Sequence, residues 1–186
     1  MADIGRRGFV KGATLGALSF TIGGAEVFLS AAEARARGAP FRLLDAHQGE
    51  TLEALGETLV PQARECGIAH FIDQQLSVPA GEALLQARIL NIRPPFADFY
   101  RTALKTIDER SRKIFGRDFA QLSAADQREF VNRMRQNKVE DWTGPPGALV
   151  YAALRADAVD VVYGTMEGYE ALGIPYMPHI PPEKRW

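Results

Sequence analysis

The residues best suited to chemistry are few and scattered. Three histidines stand at positions 47, 70 and 179, and one cysteine at position 66. None of the histidines belongs to an H-x-x-x-H or H-E-x-x-H pattern, which would place two imidazoles on one helical face to hold zinc. His70, in "GIAHFID", reads as a residue at the edge of a helix. A single thiol cannot form an intrachain disulfide, nor hold an iron–sulfur cluster, which usually takes about four thiolates. Cys66, next to Gly67, reads as a small packed side chain at a helix junction. There is no G-x-S-x-G nucleophile elbow. The glycines of "GTMEGYEALG" are spaced too widely for a dinucleotide loop, and no strand precedes them. Carboxylates are plentiful, but their spacing selects no pair for acid–base work.

The N-terminus carries a more specific pattern. "GRRGFVKG" places Arg6 and Arg7 two residues before Phe9, with Val10 and Lys11 following. An uncharged run then extends from Gly12 to Ala25 and contains four glycines. A bilayer span takes roughly 20 apolar residues. The run instead suits the apolar region of an export leader, about 7–15 residues behind a basic start. Small residues follow at Ala-x-Ala spacing, at Ala32–Ala34 and Ala34–Ala36, as candidate cleavage sites. Paired arginines, Phe9 and Lys11 resemble the twin-arginine leader, which delivers folded proteins, often cofactor-loaded ones, to the periplasm. The expectation is a leader over residues 1–36.

Such a leader on a chain with no legible cofactor site implies that the cofactor belongs to a partner, which crosses on this chain's address. Composition excludes other classes. The 186 residues carry a net charge of −1, with 46% hydrophobic and 24% charged side chains. No strong field favours nucleic acid or an anionic membrane. About 150 residues would remain after leader removal, enough for one domain with its own core.

The elements predicted for residues 37–173 are helical throughout, so the fold class is all-α: a small irregular helical domain. Leu52, Leu55 and Leu59 share one face of a helix that Pro61 ends. Ile68, Phe71, Ile72 and Leu76 form a second face. "EALLQARILN" reads as a helix after Pro79 and Gly81. The longest helix follows Pro94-Pro95, with Phe96, Tyr100, Leu104, Ile107 and Phe115 inward and Gly116 as its stop. Its charges, including Asp108 and Glu109, read as a solvated face. Ser123 caps the next helix, with Asp126 positioned to reach back. Pro145-Pro146 starts another, broken near Gly164 and ended by Gly173; "VDVVY" within it has strand character but no partner strand. The final thirteen residues, "IPYMPHIPPEKRW", hold four prolines and favour extended chain. Within this tail, residues 174–186, the candidate partner-binding residues are Tyr176, Met177, Pro178, His179, Ile180 and Trp186, side chains costly to leave in water. Packing of the tail on its own domain is the competing reading.

The leader, the helix ending "LGETLVP", the following "GIAHFID" and the late "DAVDVVYGTMEGYEALGIPYMPHIPP" together resemble the gluconate 2-dehydrogenase subunit 3 family. The local motif is Leu59-Val60-Pro61, then Gly67, then Phe71-Ile72-Asp73. The resemblance implies a non-catalytic small subunit of a periplasmic, flavin-dependent sugar, sugar-acid or polyol dehydrogenase. It also implies an FAD-bearing large subunit of the glucose-methanol-choline group as partner, a cytochrome c as an electron acceptor, and the twin-arginine translocase as carrier. The complex would be periplasmic, with membrane association through its other subunits. Catalytic, cofactor-binding and metal residues are expected to be absent from this chain. Two other readings stay open at this point: a stand-alone periplasmic binding or chaperone module, and an independent enzyme with a dispersed carboxylate site.

Overall fold

The computed structural model describes residues 18–174. In chain order they form strands β1 (Leu18–Ile22) and β2 (Ala25–Leu29), then helices α1 (Ala31–Ala36), α2 (Ala46–Leu59), α3 (Ile68–Leu76), α4 (Gln86–Ile89) and α5 (Phe96–Phe115). A 3-10 turn at Phe119–Gln121 leads to α6 (Ala124–Arg135), α7 (Gly147–Tyr163) and α8 (Met166–Ala171). The domain is mostly helical, as expected.

Local signals account for most helix ends. Asp45 starts α2 with a reciprocal cap: its carboxylate accepts from the Gln48 amide, and the Gln48 side chain accepts from the Asp45 amide. Gly116 ends α5 in the left-handed conformation, where a side chain would be strained. Ser123 caps α6 by accepting from the Asp126 amide. The Asp126 carboxylate reaches only the Ser123 hydroxyl, being one methylene shorter than the usual glutamate. α7 starts behind Pro146, stops at Gly164, and holds "VDVVY" as helix.

The core forms where the apolar faces meet. Leu52 and Leu55 of α2, Ile68 and Ile72 of α3, and Tyr100, Leu104 and Ile107 of α5 are fully buried. Phe130 and Met134 of α6 and Val150, Ala153 and Leu154 of α7 close the other side. Phe119 and Phe130 meet edge to face, with ring centroids 5.5 Å apart.

Three expectations need correction. Asp108 is buried rather than part of a solvated face, and the Arg110 side chain beside it is largely covered. The helix read in "EALLQARILN" is only the four residues of α4, because Leu85 is extended and the backbone turns again after Ile89. His70 is buried within α3, where its ring packs beside Phe41 and its Nε2 lies 3.0 Å from the Ala39 carbonyl. Burial holds its pKa below the ordinary imidazole value, so it is a neutral ring donating to that carbonyl.

The hairpin is an element that sequence reading did not anticipate. Gly23 and Gly24, both at positive φ, form its two-residue turn. The strands pair antiparallel from Leu18 opposite Leu29 to Ile22 opposite Ala25. Phe20 and Leu29 face inward and, with Ala34 and Ala39, make a small core separate from the main one. A lone two-stranded hairpin is marginal in water. This one is held by packing of β1 and α1 on α3.

One side chain holds three consecutive amides of the segment between α1 and α2. Asp73, buried in α3, accepts the backbone amides of Arg42, Leu43 and Leu44 at 2.7, 2.9 and 2.8 Å. Asp73→Ala would leave three amides without their acceptor. Hydrogen bonds to a charged group contribute about 1.5–3 kcal/mol each, non-additively. The expected loss is about 3 kcal/mol or more, read as a lower urea midpoint, with Asp73→Asn losing less because one carbonyl oxygen remains.

Candidate functional site

The residues expected to carry export (Arg6, Arg7, Phe9 and Lys11) and those expected to bind a partner (Tyr176, Met177, Pro178, His179, Ile180 and Trp186) lie outside the described residues. Within them, three features have the chemistry or exposure of a site.

The first is a cluster around Asp108. Its Oδ2 accepts the Thr51 hydroxyl at 2.8 Å and lies 3.0 Å from His47 Nε2. Its Oδ1 accepts the Phe119 amide at 3.1 Å. The position of His47 in the first turn of α2 and of Arg112 one helical turn beyond Asp108 brings both side chains to one cleft of about 420 Å³. Arg112 pairs with Asp118 and lies 3.3 Å from His47 Nε2. Ligand atoms of His47, Asp108 and Asp118 fall within 4.8 Å of one another, a donor set suited to a divalent cation. Yet the Asp108 oxygens already accept from the Thr51 hydroxyl and the Phe119 amide, and the Arg112 guanidinium supplies positive charge to Asp118. The cluster therefore acts as a polar clamp joining α2, α5 and the 3-10 turn. Arg101 and Lys105 line the cleft together with Asp45 and Glu109, so charges of both signs face it.

The second feature is a buried pair. The Tyr100 hydroxyl donates to Asp157 Oδ2 at 2.6 Å, and the Gln86 amide donates to Oδ1 at 2.8 Å. Asp157 thereby ties the start of α4 and the N-terminal part of α5 to α7. Burial is the dominant cause of a pKa pushed up to about 6, opposed by these two donors. The Tyr100 hydroxyl is shifted upward, by burial first and the nearby carboxylate second, and stays protonated. Other buried hydroxyls also hold backbone: Thr106 donates to Thr143 O and Ser111 to Arg117 O.

The third feature is apolar. Leu84, Ile89 and Leu90 around α4, and Leu172 and Ile174 after α8, are large side chains left well exposed. Both groups are anchored on the last two turns of α7. Gln86 Nε2 reaches Asp160 at 2.6 Å, and Gly168 packs directly against the Val162 carbonyl and Tyr163. Both segments thus leave large apolar side chains open to solvent.

The Asp108 and Asp157 clusters escaped sequence reading because their members are distant along the chain. The available signal was a carboxylate directly after a buried apolar residue, as in Ile107-Asp108 and Ile72-Asp73.

The family model described as gluconate 2-dehydrogenase subunit 3 matches residues 46–181. No curated protein and no solved structure matches the chain.

The raised pKa of Asp157 makes a signed prediction. The folded state holds this proton more tightly than the unfolded chain, whose aspartate pKa is about 3.9. The contribution to stability is fully present below that value and is lost as pH rises through about 6. Asp157→Asn keeps one acceptor and one donor. Its melting temperature should therefore lack the part of the decline between pH 4 and 6.5 that the wild type shows. Parallel profiles for the two proteins would contradict the assignment.

Proposed function

Because the chain belongs to the gluconate 2-dehydrogenase subunit 3 family, and so is an accessory subunit of a dehydrogenase complex, we propose that it is the non-catalytic subunit that stabilises and exports a flavin-bearing partner. The partner is an FAD-dependent dehydrogenase of the glucose-methanol-choline group, oxidising the CH–OH group of a sugar, sugar acid or polyol in the periplasm. Electrons pass from its flavin to a further acceptor such as a cytochrome c.

The observation that carries this reading is the twin-arginine pattern at Arg6, Arg7, Phe9 and Lys11 at the head of a chain of this family. An address for folded cargo is needed when a cofactor must be inserted before export. The polar side chains best placed for chemistry are engaged otherwise: Asp108 and Asp157 hold backbone amides and hydroxyls across helices. Docking is assigned to the C-terminal region. Leu172 and Ile174 are about half exposed, at 52% and 50%, where the chain leads into Tyr176 and Met177. The family match extends through residue 181 and so takes in Tyr176 to Ile180.

Two experiments separate export from docking. Replacing Arg6 and Arg7 together by lysine should leave both this chain and its flavoprotein in the cytoplasm on fractionation; a partner still periplasmic would end the carrier role. Deleting residues 175–186 should leave the helical circular dichroism signal intact and weaken association. Aromatic anchors in interface cores cost about 2 kcal/mol or more each when removed, roughly thirtyfold in affinity. Unchanged affinity would move the interface to the helices, and loss of the helical signal would make the tail part of this domain's own core.

A further inference from the structure

The two Ala-x-Ala motifs share one residue. Ala34 ends the first, Ala32–Ala34, and begins the second, Ala34–Ala36. A leader peptidase would have to take Ala34 into its groove to cut after either Ala34 or Ala36. Proteases act on chain that can be drawn out in extended form, which is why cutting concentrates at exposed, weakly held segments.

Ala34 is the opposite of such a site. It lies in α1 with no exposed surface. Its amide donates to the Ser30 carbonyl and its carbonyl accepts from the Ala39 amide, both at 2.9 Å. The helix around it is capped reciprocally: Glu33 accepts the Ser30 amide at 2.8 Å, and Ser30 Oγ accepts the Glu33 amide at 3.2 Å. That bond from the Ser30 amide is the chief cause holding the Glu33 carboxyl below its ordinary range.

The segment is also fastened to the domain on both sides. Arg35 forks onto Glu53 of α2, with Nε to Oε1 at 2.8 Å and the second nitrogen to Oε2 at 3.3 Å. After α1, the Ala39 carbonyl meets the buried His70 ring of α3. Before it, Arg42 donates to the Ser19 carbonyl of β1 at 3.0 Å. The domain provides a close seat as well. Gly67 starts α3 at φ +81, and a Cβ there would sit 2.2 Å from the Ala31 carbonyl oxygen. Only glycine lets α1 come down onto α3 at this point.

We propose that residues 18–39 are a permanent part of the folded domain and that neither Ala-x-Ala motif is processed once the chain has folded. The peptide bonds after Ala34 and Ala36 stay intact because the residue both cuts require is sealed against α3. The end of the leader thus becomes a structural element of the exported protein. This inference takes the leader from the proposed function, but its test does not depend on export.

The full chain is treated with trypsin under native conditions, and cutting of the Arg35–Ala36 bond is followed by mass spectrometry. Phe20→Asp charges the small hairpin core, which is separate from the main core, and so should lift the segment. Glu53→Gln, a milder second variant, removes the charge opposite Arg35. Wild type should be cut at least tenfold more slowly than Phe20→Asp, with Glu53→Gln between them. A Phe20→Asp chain that loses its helical signal altogether also supports the proposal, since the segment is then integral to the fold. Equal rates in all three would overturn it. In the periplasmic complex, an N-terminus at Arg35 or Arg37 would overturn it independently. Recovery of the chain from the cytoplasm alone would count against the export reading and leave the trypsin comparison to decide this one.

Discussion

Three buried aspartates hold this fold together by accepting hydrogen bonds from the backbone amides of loops. Asp73 takes three consecutive amides ahead of α2, Asp108 takes the Phe119 amide and the Thr51 hydroxyl, and Asp157 takes the Gln86 amide and the Tyr100 hydroxyl. The need arises from the architecture. Helices satisfy their own amides internally, but segments broken by proline and glycine do not, and a buried amide without an acceptor is costly. Each aspartate stands on a core helix and reaches across to another part of the chain, so it fixes both a loop and a helix-to-helix distance. Removing any one would disturb a connection before it disturbed a helix.

The same constraint shapes the functional reading. Side chains that would draw attention as catalytic candidates, buried carboxylates beside a histidine or a tyrosine, are already engaged in structural bonds. The apolar side chains around α4 and after α8 ride on the last turns of α7, adjacent to where the chain enters its proline-rich end. At the other end, a hairpin and a short helix pack on α3. Under the proposed function, the ends carry the export address and the apolar anchors, and the interior carboxylates are left to hold the chain's own loops.

Legibility followed the range of the interactions. α5 was readable from its apolar spacing and Gly116, α6 from Ser123, and the break after α7 from Gly164, because each signal lies within a turn or two of its effect. The core faces of α2 and α3 followed from periodicity, with Leu52, Leu55, Ile68 and Ile72 all buried. The hairpin is not legible because the uncharged run that holds β1 and the paired glycines of its turn fits a leader's apolar region equally well. The choice is made by docking on α3, which no local pattern encodes. The start of α4 is hidden for a related reason: its first amide is held by Asp157, far along the chain. The Asp108 cluster joins residues from α2, α5 and the turn beyond, and no spacing rule connects them.

The central claim is that this chain serves a redox centre it does not itself hold. The direct measurement is purification of the full-length tagged chain from its native host, followed by an absorbance spectrum and dehydrogenase assay of the complex and of the chain separated from it. The account predicts a yellow complex that oxidises a sugar, sugar acid or polyol, with the flavin and the activity both remaining with the larger subunit after separation. A separated small chain that keeps the flavin, or turns over substrate alone, would contradict it.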